Sequence, residues 1–356
     1  MARRYAIYDV FTDRGLEGNP LAVVFDGDGL DDARMQAIAG EFNLSETVFI
    51  RTPDRTGHAA RLRIFTPGYE LPFAGHPTVG AAVALAEAAH GIDGGDFDLV
   101  QVLEENIGPV RCAVRMRSGQ ASFAEFDLPR KSARLEAKLD REAIADAFSL
   151  SPSQIGFEDH VPSFWSAGVP FVMIPVHDLA AAATVDFDAA LWEKLAPMAD
   201  GRLAAAYVYC RGGVNHMARF HTRMFAPAMG IVEDPATGGA LAAFSGTIHH
   251  FDKLLDGHHA FLVEQGVEMG RPSLLHLHLD VAGAISPRRA LAGRRRALPP
   301  VNFIFEKQAL NAHSPLFSKS RKKIAFRTGQ AGRRPLYAPS DRSNVVPEAA
   351  ARRSGG

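Results

Sequence analysis

The sequence predicts an α+β fold built from two related lobes. Three observations carry this. Strand-like runs are joined by short hairpin-type links, which favours antiparallel sheet over a doubly wound parallel one. Helix patterns are few and sit between those runs. And one stretch echoes another: "RIFTPGYELPFAGHPTVGAAVAL" (63–85) and "RMFAPAMGIVEDPATGGALAAF" (223–244). Each holds Arg, an apolar residue, Phe, a small residue and Pro, then reaches a second Pro and a Gly/Ala-rich helix opening. Phe65 matches Phe225 at an offset of 160 and His76 matches Asp234 at 158, so the second linking turn is two residues shorter. A single echo at that separation is the mark of two duplicated lobes rather than of a solenoid.

In chain order, "YAIYDVF" and "LAVVF" read as strands around the loop "TDRGLEGNP". "DDARMQAIAGEF" is a helix with Asp31 as N-cap and Met35, Ile38 and Phe42 at helical spacing. "AARLRIFTP" alternates and stops at Pro67. "PTVGAAVALAEAAH" is a helix that opens with proline and closes near Gly91. "VRCAVRMRS" and "ASFAEFDLP" form a hairpin around Ser118–Gln120. "REAIADAFSLSP" is a helix halted before Pro152. "PFVMIPV" and "AAAYVYC" are buried strands, and "LLHLHLDVA" alternates. A charged stretch at 128–135 marks the boundary, giving lobes at 1–128 and 129–284 and a separate segment at 285–356.

That last segment is a different kind of sequence. It carries 16 basic and 3 acidic residues, a net of +13, whereas the first 284 residues carry 23 basic and 37 acidic, a net of −14. It is rich in Arg, Ala, Pro, Ser and Gly, and most of it reads as poorly ordered; only "VNFIFE" and "KKIAFRT" look strand-like. The chain is 47% hydrophobic and 22% charged, as expected of a globular protein with a substantial core. No apolar run is long enough to span a membrane and no secretion signal is recognisable. Two cysteines, Cys112 and Cys210, provide no disulfide framework, so a reduced, cytoplasmic setting is expected.

Candidate chemistry collects at the two echoed helix openings, "GHPTVGAA" and "EDPATGGA". A helix N-terminus presents unpaired N–H groups and partial positive charge, a site for a carboxylate or phosphate. If the lobes face each other, both openings meet in one cleft with His76 and Asp234 at its mouth. His76 there is expected to be neutral. In "NLSETVFI", strand period puts Glu46 on the same side as Leu44, Val48 and Ile50. A carboxyl on an apolar face has its pKa raised by desolvation and can exchange a proton near neutral pH. Each residue has a plainer reading: Asp before Pro is commonly a helix cap, His76 a turn residue, and Glu46 a strand-end surface group. The combination in echoed positions favours a site. The pairs His249–His250 and His258–His259, with His276 and His278, match no strong zinc spacing and read as a solvated face, so no metal is expected. Cys112 reads as core.

With "DVFTDRGLEGNPLAVV", "NLSETVF", "ELPFAGHPTVGAA" and "EDPATGGALAA" in this order, the chain resembles the phenazine-biosynthesis isomerase-like (PhzF-like) family of the diaminopimelate-epimerase fold, over roughly residues 5–284. The resemblance implies a β-barrel-like sheet around a central helix in each lobe, a site between lobes, no cofactor, and a homodimer. It implies that Glu46 carries protons, assisted by His76 and Asp234, and that Gly75, Thr237, Gly238, Gly239 and Asn19 bind a small carboxylate-bearing substrate. Relatives that racemise amino acids use one cysteine per lobe; the glycine-adjacent positions here hold Ala74 and Pro235, which disfavours a two-thiol racemase. Two departures stand out. "ATGGA" puts Gly239 where the phenazine enzyme has serine. The family's closing strands after "LHLDVAGA" give way to the basic segment, as a reading-frame change near residue 284 would produce, and this predicts an exposed sheet edge on the first lobe. The leading expectation is therefore a cofactor-independent isomerase. The alternatives are a non-catalytic carboxylate binder and a basic tail that holds nucleic acid, the latter disfavoured by its few aromatics.

Overall fold

The computed structural model describes residues 2–91 and 95–282 and the backbone of two further strands, Asn302–Glu306 and Ile324–Ala325. Its two lobes repeat one topology. In the first, Tyr5–Val10, Asn19–Val24, Glu46–Arg51, Ala60–Phe65, Phe97–Glu105, Gly108–Met116 and Phe123–Asp127 hydrogen-bond in that order into a curled sheet. In the second, Ser163–Ser166, Pro170–Pro175, Ala205–Arg211, Phe220–Ala226, Gly257–Gln265 and Ser273–Val281 do the same. The second and third strands of each set are parallel, as are the fourth and fifth; the other neighbours are antiparallel. The mostly antiparallel sheet expected from the sequence thus carries two parallel steps per lobe.

Each sheet wraps a helix, Gly75–His90 in the first lobe and Gly238–Phe251 in the second. Their sequences are almost entirely small or apolar, so no face is reserved for water and both are buried nearly all round. Small residues let the sheet come close: a Cβ on Gly80 would lie 2.4 Å from the Leu21 side chain. One core runs through both lobes, from Val10 and Val83 to Phe171 and Phe244. Peripheral helices cover the outer faces. Asp32–Phe42, capped by Asp31 through Arg34 N at 2.8 Å, packs Met35 and Ile38 on Phe49. Arg141–Ala147, shorter than its sequence pattern, joins Trp192 over Val172 and Ile174. Among the described residues no helix is long and apolar enough to cross a membrane.

The exposed edge expected on the first lobe is absent. Asn302–Glu306 pairs antiparallel with Phe123–Asp127 on one side and Ser273–Val281 on the other, joining the two sheets into one. The β-forming run "NFIFE" supplies a strand inside a segment that composition marks as unstructured. Ile324–Ala325 pairs with Ala2–Arg3. The rest of 285–356, for which poor order is expected, lies outside the described residues.

Candidate active site

Glu46 opens a strand buried on both sides. Thr47 and Phe49 point one way, Phe49 into the cluster under Asp32–Phe42; Val48 and Ile50 point into the main core, and Glu46 shares their side. It is 5% exposed. Two side chains from the helix-opening segments meet it. His76, the second residue of its helix, is 2% exposed and brings Nε2 to 3.3 Å from Glu46 Oε2. Asp234, 1% exposed, closes the strand Ile231–Asp234 just before the second central helix. It is not that helix's cap, because the N-cap position belongs to Thr237.

Asn19 ties His76 to Asp234 across the lobes. Its amide nitrogen donates to Asp234 Oδ1 and to the Ala236 carbonyl, both at 2.8 Å, and stands 3.3 Å from His76 Nδ1. Two hydrogens serve three acceptors, so the histidine contact is the weakest of them. An accepting Nδ1 leaves the ring proton on Nε2, the atom facing Glu46. The hydroxyl of Thr237 donates to Asp234 Oδ2. Two residues that sequence reasoning missed complete the shell. Ser45 acts on the Asp234 carboxylate and favours its charged form. Gln265 donates from Nε2 to the Asp234 carbonyl (2.7 Å) and to Thr237 Oγ1 (3.0 Å), while its Oε1 accepts from Thr237 N (3.2 Å). The signal for Gln265 was legible: it follows Val263 on the core-facing side of "AFLVEQG", a polar residue where the period demands an apolar one.

The electrostatics separate the three ionisable groups. Burial, and then the neighbouring Asp234 charge, push the Glu46 carboxyl well above the usual carboxylate range. Burial also raises Asp234, to about 6, with the hydrogen bonds from Ser45, Thr237 and Asn19 holding it down. Burial lowers His76 to about 3. Burial thus favours the uncharged acid at Glu46 and the neutral ring at His76, beside an Asp234 that ionises at about 6. Glu46 Oε2 and His76 Nε2 lie close but do not have hydrogen-bond geometry. Both atoms, with Asn19 Oδ1, are buried polar atoms without a hydrogen-bond partner. Buried groups of this kind carry a desolvation cost and mark a place where something else completes the bonding.

The glycines have separate duties. A Cβ on Gly75 would sit 2.6 Å from Gly238 Cα, and one on Gly238 would sit 2.7 Å from Gly75 Cα. The two central helices thus abut backbone to backbone at their first residues. Neither start has a side-chain cap, so their leading N–H groups face the same small region. Gly239 is different: a Cβ there meets only the Phe171 ring, at 4.0 Å. The register also identifies the second lobe's counterpart of Glu46. Thr47 lies opposite Phe65 as Ala206 lies opposite Phe225, which makes Ala205 the equivalent residue. The carboxyl has no mate. Cys112 and Cys210 are both buried within strands. No group of three or more His, Cys, Asp or Glu among the described residues is arranged to hold a metal ion.

Known proteins resemble this chain in sequence and in fold. The family model for phenazine biosynthesis-like protein matches residues 8–295. An uncharacterized isomerase of Mesorhizobium japonicum is 56% identical over 282 residues, covering 79% of this chain and 92% of its own. Trans-2,3-dihydro-3-hydroxyanthranilate isomerase of Pseudomonas fluorescens is 35% identical, with 76% and 88% covered. The crystal structure of a phenazine biosynthesis protein of the PhzF family from Bacillus anthracis superposes with a TM-score of 0.71 at 21% identity, covering 87% of this chain and 98% of that one, a likeness of fold. The family model spanning residues 8–295, with relatives 56% and 35% identical that are named isomerases, establishes that this chain belongs to the phenazine biosynthesis-like (PhzF) family and is an isomerase.

Proposed function

We propose that the protein moves a proton between two carbons of a small carboxylate-bearing metabolite, cyclic or derived from an amino acid, without a cofactor. The substrate carboxylate lies against the free N–H groups at Gly75 and Gly238–Gly239, with Thr237 and Asn19 alongside. Glu46, neutral at rest, gives its proton to one carbon and takes a proton back from another, so the side chain ends as it began. His76 and the charged Asp234 orient the substrate and oppose premature ionisation of Glu46. The helix ends stabilise charge that develops on the conjugated carboxylate.

The observation that carries this reading is the trio of buried ionisable groups, two of them with unmet hydrogen-bonding atoms, beside two uncapped helix starts. Their burial has a corollary: the lobes part to admit substrate and close over it. Because Ala205 stands where a second carboxyl would be, one group serves both directions, and the proton leaves and returns on one face of the substrate. Isomerases named for trans-2,3-dihydro-3-hydroxyanthranilate make small cyclic amino- and hydroxy-carboxylates the first compounds to try.

Incubation of such compounds with the protein in D₂O, followed by NMR, tests the proposal. Catalysis introduces deuterium at carbon stereospecifically; binding without exchange would leave a passive carboxylate receptor. A second expectation concerns Gly239. Gly239→Ser should fold with stability within about 0.5 kcal/mol of the parent, because its new atoms meet no close neighbour, while the added hydroxyl shifts KM for carboxylate substrates. Thermal melts and steady-state kinetics check both halves, and a collapsed fold would contradict the packing described.

A further inference from the structure

Outside the trio, one buried acid sits directly behind the helix start that carries His76. Glu105 ends the strand Phe97–Glu105 and is 2% exposed. Its Oε1 is 2.7 Å from Thr78 Oγ1, and that same hydroxyl is 2.7 Å from the Ala74 carbonyl. Its Oε2 is buried with no hydrogen-bond partner.

A threonine hydroxyl owns one hydrogen. If Glu105 were ionised, that hydrogen would go either to the carboxylate or to the carbonyl. The other 2.7 Å contact would then join two acceptors with nothing between them, and a charged Oε2 would lie in the core without a donor. A protonated Glu105 removes both difficulties. Its O–H donates to Thr78 Oγ1, Thr78 donates to the Ala74 carbonyl, and Oε2 remains as an uncharged carbonyl oxygen. The surroundings agree. Arg61, on the neighbouring strand, is the cation that acts on Glu105, and its guanidinium is engaged by Asp54 (3.7 Å) and Asn106. From Gly108–Met116 the facing ionisable group is the buried Cys112 thiol, itself held neutral by burial. Thr78 comes from the helix. Burial pushes Glu105 up to about 8, against the opposing pull of Thr78 and Arg61.

We propose that Glu105 is a neutral carboxylic acid in the native protein and a positioning residue for His76, fixing through Thr78 the Ala74 carbonyl at the turn that launches Gly75 and His76. The relay joins the acid to the residue two before His76 and the residue two after it. Its ionisation would therefore unfasten that turn. The value of this for catalysis rests on the role proposed for His76, but the protonation and the coupling do not.

Glu105→Gln keeps the length and a donor to Thr78 and cannot ionise. Infrared difference spectra of the parent minus this variant are expected to show a protonated-carboxyl C=O band at pH 7 that falls to half near pH 8 and is replaced by carboxylate bands. In the parent alone, the ¹⁵N signals of the His76 ring should shift through the same midpoint although the ring itself stays neutral; in Glu105→Gln they should stay flat over that range. The parent's extra stability should be complete below the ordinary carboxylate range and lost as pH rises through about 8, a slope the variant lacks. A carboxylate spectrum for Glu105 at pH 7 would overturn the protonation. A His76 ring that ignores the titration would overturn the positioning role, whatever substrate the enzyme turns over. If Glu105→Gln fails to fold, Thr78→Val, which removes the hydroxyl between Glu105 and the turn, takes its place, and a His76 shift near pH 8 that persists in it overturns the coupling.

Discussion

Glu46→Gln is expected to lower turnover by about 10²–10⁴-fold, the range carried by a positioned general acid–base group, and to abolish deuterium uptake at substrate carbon. Glutamine matches glutamate in size and keeps an acceptor toward His76 Nε2, but it cannot exchange a proton. Stability separates a chemical loss from a structural one. In the parent, burial and the Asp234 charge raise the Glu46 pKa, so the neutral form is the one the fold prefers. The sign then follows: the stability linked to this group is complete below its unfolded pKa and is lost as pH rises through its folded value. Glutamine is permanently neutral, so the variant should unfold no more easily than the parent at acid pH and less easily at alkaline pH. Ligand affinity, measured by calorimetry with an inert carboxylate, should change little because the helix starts are untouched. An active Glu46→Gln enzyme would remove Glu46 from the chemistry and leave the fold assignment standing.

Gly75→Ala tests the junction of the lobes. The new methyl carbon would sit 2.6 Å from Gly238 Cα, and that obstacle is helix backbone, which cannot swing aside as a long side chain can. Overpacking of this kind costs about 1–3 kcal/mol. Relief requires the two helix ends to separate, which carries His76 away from Glu46 and Asp234 away from Asn19. A displacement of about 1 Å at a catalytic group can cost roughly 10²-fold in rate, so both the melting temperature and kcat should fall. Gly238→Ala should do the same, since it enters the same gap from the other side, and the double variant should lose less than the two single losses added, because they share one contact. Gly40→Ala is the control. That glycine is exposed in the helix Asp32–Phe42 with open space at its Cβ position, and alanine there should stabilise by up to about 1 kcal/mol. Full activity and stability in Gly75→Ala would mean that the helix ends do not touch as described.

Several features were legible because they depend on local pattern. Alternation about Glu46, the small-residue helices and the echo about Phe65 and Phe225 need only periodicity and side-chain volume. Local pattern could not settle what depends on partners distant in the chain. Asp234 before a proline has the local signature of a helix cap, yet the N-cap lies three residues later at Thr237, and the carboxylate is engaged by Asn19, 215 positions away. The edge left open after "LHLDVAGA" is filled by Asn302–Glu306, whose β-forming run was visible but whose neighbours were not.

What the sequence by itself determined is the repeated lobe, the two glycine-rich helix openings and the kinds of groups beside them, since residue type and spacing are local quantities. Only the tertiary structure decided that Glu46, His76 and Asp234 share one buried space, that Asn19 and Gln265 brace it, and that Ala205 takes the place equivalent to Glu46 in the second lobe. The physical reason is that protonation and hydrogen bonding are set by what lies within a few ångströms in space. In this chain those neighbours are brought together from strands and turns tens to hundreds of residues apart.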